Sequence, residues 1–171
     1  MNQQVAISGL GGQGVLFITR LLAEAAMAMG QDILSSETHG MAMRGGAVIS
    51  HLKVGNYISP LIRSGAANVA VYLAEENLDV HPQLIGPNTS VLINSAKPGK
   101  YLGLDASGLA EKELGSRRAA NLVLLGYGLG KGLFFADVDS VFRTLPTLSR
   151  ADKVLSANEK ALNAGLARSA D

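Results

Sequence analysis

The sequence predicts an α/β chain: one Rossmann-like, doubly wound domain over residues 1–171, its mostly parallel sheet covered by helices on both faces. Two observations carry this. Short apolar segments of strand length alternate with helical ones along the chain, the pattern of parallel strands buried on both faces. The first of them, Val5-Ala6-Ile7-Ser8, runs straight into Gly9-Leu10-Gly11-Gly12-Gln13-Gly14 and then a long apolar helix, a strand–glycine turn–helix unit.

Taken in order, the expected strands are Gln4–Ser8, Asp32–Ser36, Ala47–Lys53, Asn68–Ala74, Ser90–Asn94 and Tyr101–Asp105. The expected helices are Val15–Met29, part of Glu75–Ile85 (interrupted by Pro82), Gly108–Leu114, Ala119–Lys131, Val138–Leu145 and Ala151–Ala167. Ala47–Lys53 and Tyr57–Ile62 read as a hairpin-like excursion. Gly30 closes the first helix, Pro87-Asn88 makes a turn, and Lys97-Pro98-Gly99 precedes the sixth strand. Asp137 and Asp139 flank a helix start and read as capping residues. Asn121 and Asn158 fall within helices, where asparagine is a poor intrinsic choice, so each is expected to bond to a neighbouring loop or a partner chain. The helix Val15–Met29 is apolar almost all round, with only Thr19, Arg20 and Glu24 polar. Its free surface is covered either by a neighbouring helix such as Ala119–Lys131 or by a subunit interface, which would make a homodimer of the isolated chain.

Composition narrows the function. Apolar residues make up 47% and charged residues 17% of the 171, with a net charge of +1, too little to point to nucleic acid or a membrane surface. The basic residues are scattered apart from Arg117-Arg118. There is no cysteine, which excludes disulfides, thiolate catalysis and cysteine-ligated iron–sulfur clusters. No signal-like segment opens the chain, so a cytoplasmic location is expected. The histidines His39, His51 and His81 have no metal-ligand spacing, no Gly-Lys-Ser/Thr follows the glycines, and no G-x-S-x-G elbow is present.

Two segments carry candidate site residues. Gly9, Gly11 and Gly14 fit G-x-G-x-x-G, a turn that admits a close ligand and aims a helix N-terminus at it; Gly12 and Gln13 complete the loop. The same glycines also serve if they only permit close packing. The second segment, Glu37-Thr38-His39-Gly40-Met41-Ala42-Met43-Arg44-Gly45-Gly46, follows the second strand. Glu37 stands near the place of a ribose-binding acid. Arg44 beside Gly45 and Gly46 can present its guanidinium to a carboxylate or phosphate, and His39 can donate a hydrogen bond or carry a proton. Alternatively, Glu37 and Arg44 pair with each other or with a partner chain.

These two segments, closing with Val48-Ile49-Ser50-His51-Leu52-Lys53 and continued by Asn121-Leu122-Val123-Leu124-Leu125-Gly126 and Asn158 to Gly165, resemble the gamma domain of 2-oxoacid:ferredoxin oxidoreductases, whose members act on pyruvate, ketoisovalerate or indolepyruvate. Met43 stands where the family pattern has glutamine, and Asn68 where it has aspartate. The resemblance implies a subunit, inactive alone, of a complex that oxidatively decarboxylates a 2-oxoacid to an acyl-CoA. Thiamine diphosphate, magnesium, iron–sulfur clusters and coenzyme A are implied for the complex, with electrons leaving to ferredoxin, and no cofactor for this chain by itself. No Gly-Asp-Gly thiamine motif and no cysteine occur here, so those parts are expected on companion alpha, beta and ferredoxin-like delta subunits, or on one larger fused alpha–beta chain as in the indolepyruvate type. Two other readings stay open: a stand-alone NAD or FAD binder using Gly9–Gly14 and Glu37, and a purely structural assembly module.

Overall fold

A computed structural model of the chain describes residues 1–39, 45–97, 99–149 and 151–170. The strands are β1 (Gln3–Leu10), β2 (Ile33–His39), β3 (Ala47–Val54), β4 (Val69–Tyr72), β5 (Ser90–Asn94) and β6 (Leu102–Leu104). They form one sheet in the order β2-β3-β1-β4-β5-β6. β1, β4, β5 and β6 are parallel, whereas β3 runs antiparallel to both β1 and β2. The sheet is therefore mostly parallel, with one strand reversed inside it.

That reversal corrects the expected excursion. β3 is paired on both sides, so no free edge remains for Tyr57–Ile62, which forms no strand. Gly55, at φ +105, turns the chain away, and Pro60 has no N–H to give a ladder. The segment instead folds back over the sheet, where Ile62 is buried.

The helices are α1 (Val15–Ala28), α2 (Asn77–Val80), α3 (Ala106–Leu114), α4 (Ala120–Gly130), α5 (Val138–Leu148) and α6 (Asp152–Ser169). Side chains alternate across the strands, and this sorts the core into two layers. Val5, Ile7, Leu52, Val71 and Leu92 face the long helices, meeting Leu21, Leu22, Leu125, Leu145 and Leu162. Ala6, Ile49, Ala70, Tyr72 and Ile93 face the other way, beneath Ile62, Leu84 and Leu78 of the short α2. Helices lie on both faces but unequally.

The apolar α1 is covered within the chain, chiefly by the sheet and α5 and only slightly by α4. Met27 and Leu16 remain 52% and 39% exposed. The all-round apolar helix is α4, buried from Leu122 to Leu129. Each large side chain so buried contributes about 1.5–3 kcal/mol. α6 reaches α4 closely enough that a Cβ on Gly126 would strike the Leu162 carbonyl, and one on Gly165 the Val123 carbonyl.

Of the two expected caps of α5, Asp137 is one, whereas Asp139 lies inside its first turn and caps nothing. Asp137 Oδ1 accepts from Ser140 N at 2.7 Å, and the Ser140 hydrogen bonds hold its carboxyl below the ordinary value. Asp105, expected within the sixth strand, instead caps α3 by accepting from Gly108 N at 2.8 Å. α5 runs through Pro146 and three residues beyond the expected end at Leu145. The ring removes one donor near the helix end, and Thr147 Oγ1 donates to the Thr144 carbonyl at 2.8 Å. Asn158 Nδ2 donates to Ser149 Oγ in the α5–α6 turn at 2.9 Å, so it serves a neighbouring loop. Asn68 Oδ1 accepts from Gln4 N at 2.7 Å, a bond an aspartate there would also accept.

At the start of β1, Gln3 clasps the loop after α4, donating to the Leu133 carbonyl and accepting from Phe135 N, at 2.9 and 2.8 Å. Ser169, at the end of α6, lies against Gly130. Both ends of the chain thus gather beside the C-terminus of α4. Among the described residues, no helix is long and apolar enough to cross a membrane.

A buried polar knot ties β1 to the segment after β4. Ser8 Oγ lies 2.8 Å from His81 Nδ1 and accepts from Asn77 Nδ2 at 2.8 Å; Tyr72 Oη donates to the His81 carbonyl at 2.8 Å. Burial pushes the Tyr72 hydroxyl up to about 12, which keeps it a donor. Burial also lowers the pKa of His81, and that of His51, where Lys53 and His81 add to the effect, below 6.5. A group whose folded pKa is depressed contributes stability above its unfolded pKa and loses it as the pH falls. The urea midpoint should therefore be level above about pH 6.5 and fall below it. In His51→Gln and His81→Gln the acid-side slope should be shallower; a slope unchanged in both would contradict this account.

Candidate functional site

The glycine loop leaves the C-terminal end of β1 and enters α1. Gly9 is packed from three sides, by Val15, Gln13 and Leu73. The Gln13 side chain folds back, its Oε1 accepting from Leu10 N at 2.7 Å. Gly14 caps α1 in the left-handed region at φ 80, with no side chain capping the helix. The first N–H groups of α1 are therefore left to whatever sits in front of them.

The two segments singled out in the sequence do meet. Gly11 N donates to the Gly46 carbonyl at 2.9 Å, and a Cβ on Gly11 would lie 3.4 Å from Gly45 N. Residues 40–44, with Arg44 and Met43 among them, lie outside the described residues, as does the side chain of His39.

Glu37 is placed elsewhere. It is exposed on β2, opposite Ser50 of β3, which in turn stands opposite Ile7 of β1. With strands about 4.8 Å apart, this puts Glu37 about 10 Å from the line of β1. In a dinucleotide site the acid follows a strand adjacent to the glycine strand. Here β3 lies between them, which removes the acid that a ribose at the loop would need.

The loop borders something the sequence reading missed. A cavity of about 320 Å³ opens beside Gly12 and Gln13, at the C-terminal ends of β1, β4 and β5. This is where the connections from neighbouring parallel strands diverge, the usual ligand crevice of an open α/β sheet. Leu73 and Asn94 supply its strand side, and Asn94 Nδ2 donates to the Leu73 carbonyl and to Ser107 Oγ at 3.1 and 2.8 Å. The far wall is Arg117, Arg118 and Asn121. Arg117 is engaged by Glu111, Nε to Oε2 at 2.6 Å. Arg118 makes no ion pair among the described residues. Asn121, in the first turn of α4, packs its amide against Gly14. A free guanidinium lining a cavity beside the glycine loop suits an anion, a phosphate or carboxylate. In the sequence the one clue was that Arg117-Arg118 interrupts an otherwise scattered basic pattern.

Comparison with known proteins decides the family. Residues 4–168 match the pyruvate ferredoxin/flavodoxin oxidoreductase family. This chain belongs to it. It is 31% identical to indolepyruvate oxidoreductase subunit IorB of Archaeoglobus fulgidus, over 96% of this chain and 94% of that one. Its fold matches the gamma subunit of a keto/oxoacid ferredoxin oxidoreductase from Geobacter sulfurreducens, with TM-score 0.75, 24% identity and 98% of each chain covered. It also matches the 2-oxoglutarate:ferredoxin oxidoreductase of Magnetococcus marinus, with TM-score 0.83 and 19% identity, covering 99% of this chain but 31% of that one. Its likeness to IorB, a separate subunit, runs along almost the whole of both chains. The sequence has no cysteine to ligate an iron–sulfur cluster, and the described residues hold no group of three His, Cys, Asp or Glu side chains.

The loop geometry gives a pair of outcomes. Gly14→Ala meets both a left-handed backbone, worth about 1–2 kcal/mol, and the Asn121 amide. Gly12, at φ +92, has nothing within 4 Å of an added Cβ, so Gly12→Ala costs the backbone term alone. Urea unfolding should therefore show Gly14→Ala as the less stable variant; the reverse order would rule out the Gly14–Asn121 contact.

Proposed function

We propose that this chain completes a cytoplasmic 2-oxoacid:ferredoxin oxidoreductase built with companion alpha, beta and delta-type subunits, or with one fused alpha–beta chain. The assembled enzyme oxidatively decarboxylates a 2-oxoacid to its acyl-CoA and passes the electrons to ferredoxin; thiamine diphosphate, magnesium and iron–sulfur clusters sit on the companions. The reading rests on the family match along almost the whole chain, joined to a sequence with no cysteine ligand and no Gly-Asp-Gly motif. The Magnetococcus enzyme was solved with coenzyme A and succinyl-CoA bound, which makes coenzyme A the natural anion for this chain to help hold. The glycine loop and the loop carrying His39 and Arg44 lie on the coenzyme A path in this reading, with Arg118 joining Arg44 as an anion contact.

Omitting this chain from a reconstitution with its native companions should abolish 2-oxoacid-dependent ferredoxin reduction. Full activity of the companions alone would sink the proposal. Within the complex, Arg118→Ala should raise the KM for coenzyme A about tenfold, the effect of losing about 1.4 kcal/mol from one charge-assisted contact. The kcat at saturating coenzyme A and the KM for the 2-oxoacid should change little.

A further inference from the structure

A second concavity, of about 710 Å³, lies on the helical side of the molecule between α1, the end of α3, the start of α4 and the first turns of α6. Its floor is apolar: Phe17, Leu114, Leu122 and Val154 line it, and Val154 is 50% exposed. Its rim carries Arg118, Lys153 and Lys160, none of which makes an ion pair among the described residues. The acid beside them, Glu113, is already taken by Arg168 at 2.9 Å. Lys153 and Lys160 are two turns apart on one face of α6, about 10 Å along its axis, with the exposed Ala157 between them. The groove thus offers an apolar slot with an unneutralised cation at each end.

We infer that this groove is the seat of an acidic amphipathic segment of a companion subunit, one that inserts an apolar side chain over Ala157 and Val154 and sets a carboxylate at Lys153 and at Lys160. This rests on the proposed function, since it takes the companion from the oxidoreductase complex. The charge pattern selects the occupant. A two-fold pair of this chain sets the same patch against itself, which would oppose Lys153, Lys160 and Arg118 to their own copies, a costly juxtaposition. A small anion would leave the apolar floor uncovered. A helix with apolar anchors and flanking acids satisfies both features.

The test uses the full chain, co-expressed and purified with its native companions. Lys153→Glu/Lys160→Glu and, separately, Ala157→Trp should each fold like the wild type by circular dichroism, because all three positions are exposed. Each should weaken association with the companions at least tenfold, and for the charge-reversed variant the deficit should shrink as salt is raised. A photo-crosslinker at position 154 should label an acidic stretch of a companion. If both variants assemble with wild-type affinity, or the crosslink joins two copies of this chain, the inference falls while the proposed function stands. If the wild-type chain itself fails to associate with the companions, both fall.

Discussion

The close crossing of α4 and α6 governs the architecture. α4 is apolar on every side, so it is stable only if it is covered on every side. The sheet covers one flank, with α1 and α3 beside it, and α6 must come down on the other. Side chains of ordinary size would hold the two axes 8–10 Å apart; Gly126 and Gly165 let backbone meet backbone instead. The contact fixes where α4 begins, and Arg118 and Asn121 stand at that beginning. The anion-facing cavity and the basic groove are both built around it.

The reversed strand β3 settles what the glycine loop can do. The loop has left-handed glycines at Gly12 and Gly14 and an uncapped helix behind it. What it lacks is the neighbouring acid, because β3 occupies the place where β2 would pair with β1. In exchange the start of β3 brings Gly45 and Gly46 onto Gly11. The loop is closed on that flank by backbone and left open on the other, toward Arg118.

Much of this was legible in the sequence, for definite reasons. All six expected strands exist with bounds no more than three residues from those expected, because short apolar runs between turn signals leave few alternatives. The start of α1 at Val15 and the cap at Asp137 follow from local chemistry. Strand direction does not: the pattern of Ala47–Val54 is the same whichever way it pairs, so its partners came only from the three-dimensional arrangement. The helix expected to stop at Leu145 continues through Pro146 to Leu148. The candidate site was half visible. Gly11 and Gly45 were singled out separately and touch, whereas Arg118 and Asn121 are more than a hundred residues from the loop they face, a distance local pattern does not span. The segments Asn121–Gly126 and Asn158–Gly165 carried the resemblance as unrelated stretches; in the fold they are the two sides of one helix crossing.

The clasp of Gln3 on the loop after α4, with Ser169 against Gly130, puts both chain ends at one pole of the molecule. The glycine loop and its cavity occupy the opposite pole, at the far ends of the strands. A polypeptide entering and leaving at neighbouring points can be spliced into a longer one like a bead on a thread, with little strain on either linker. The same fold accordingly makes up nearly all of one solved chain and about a third, 31%, of another.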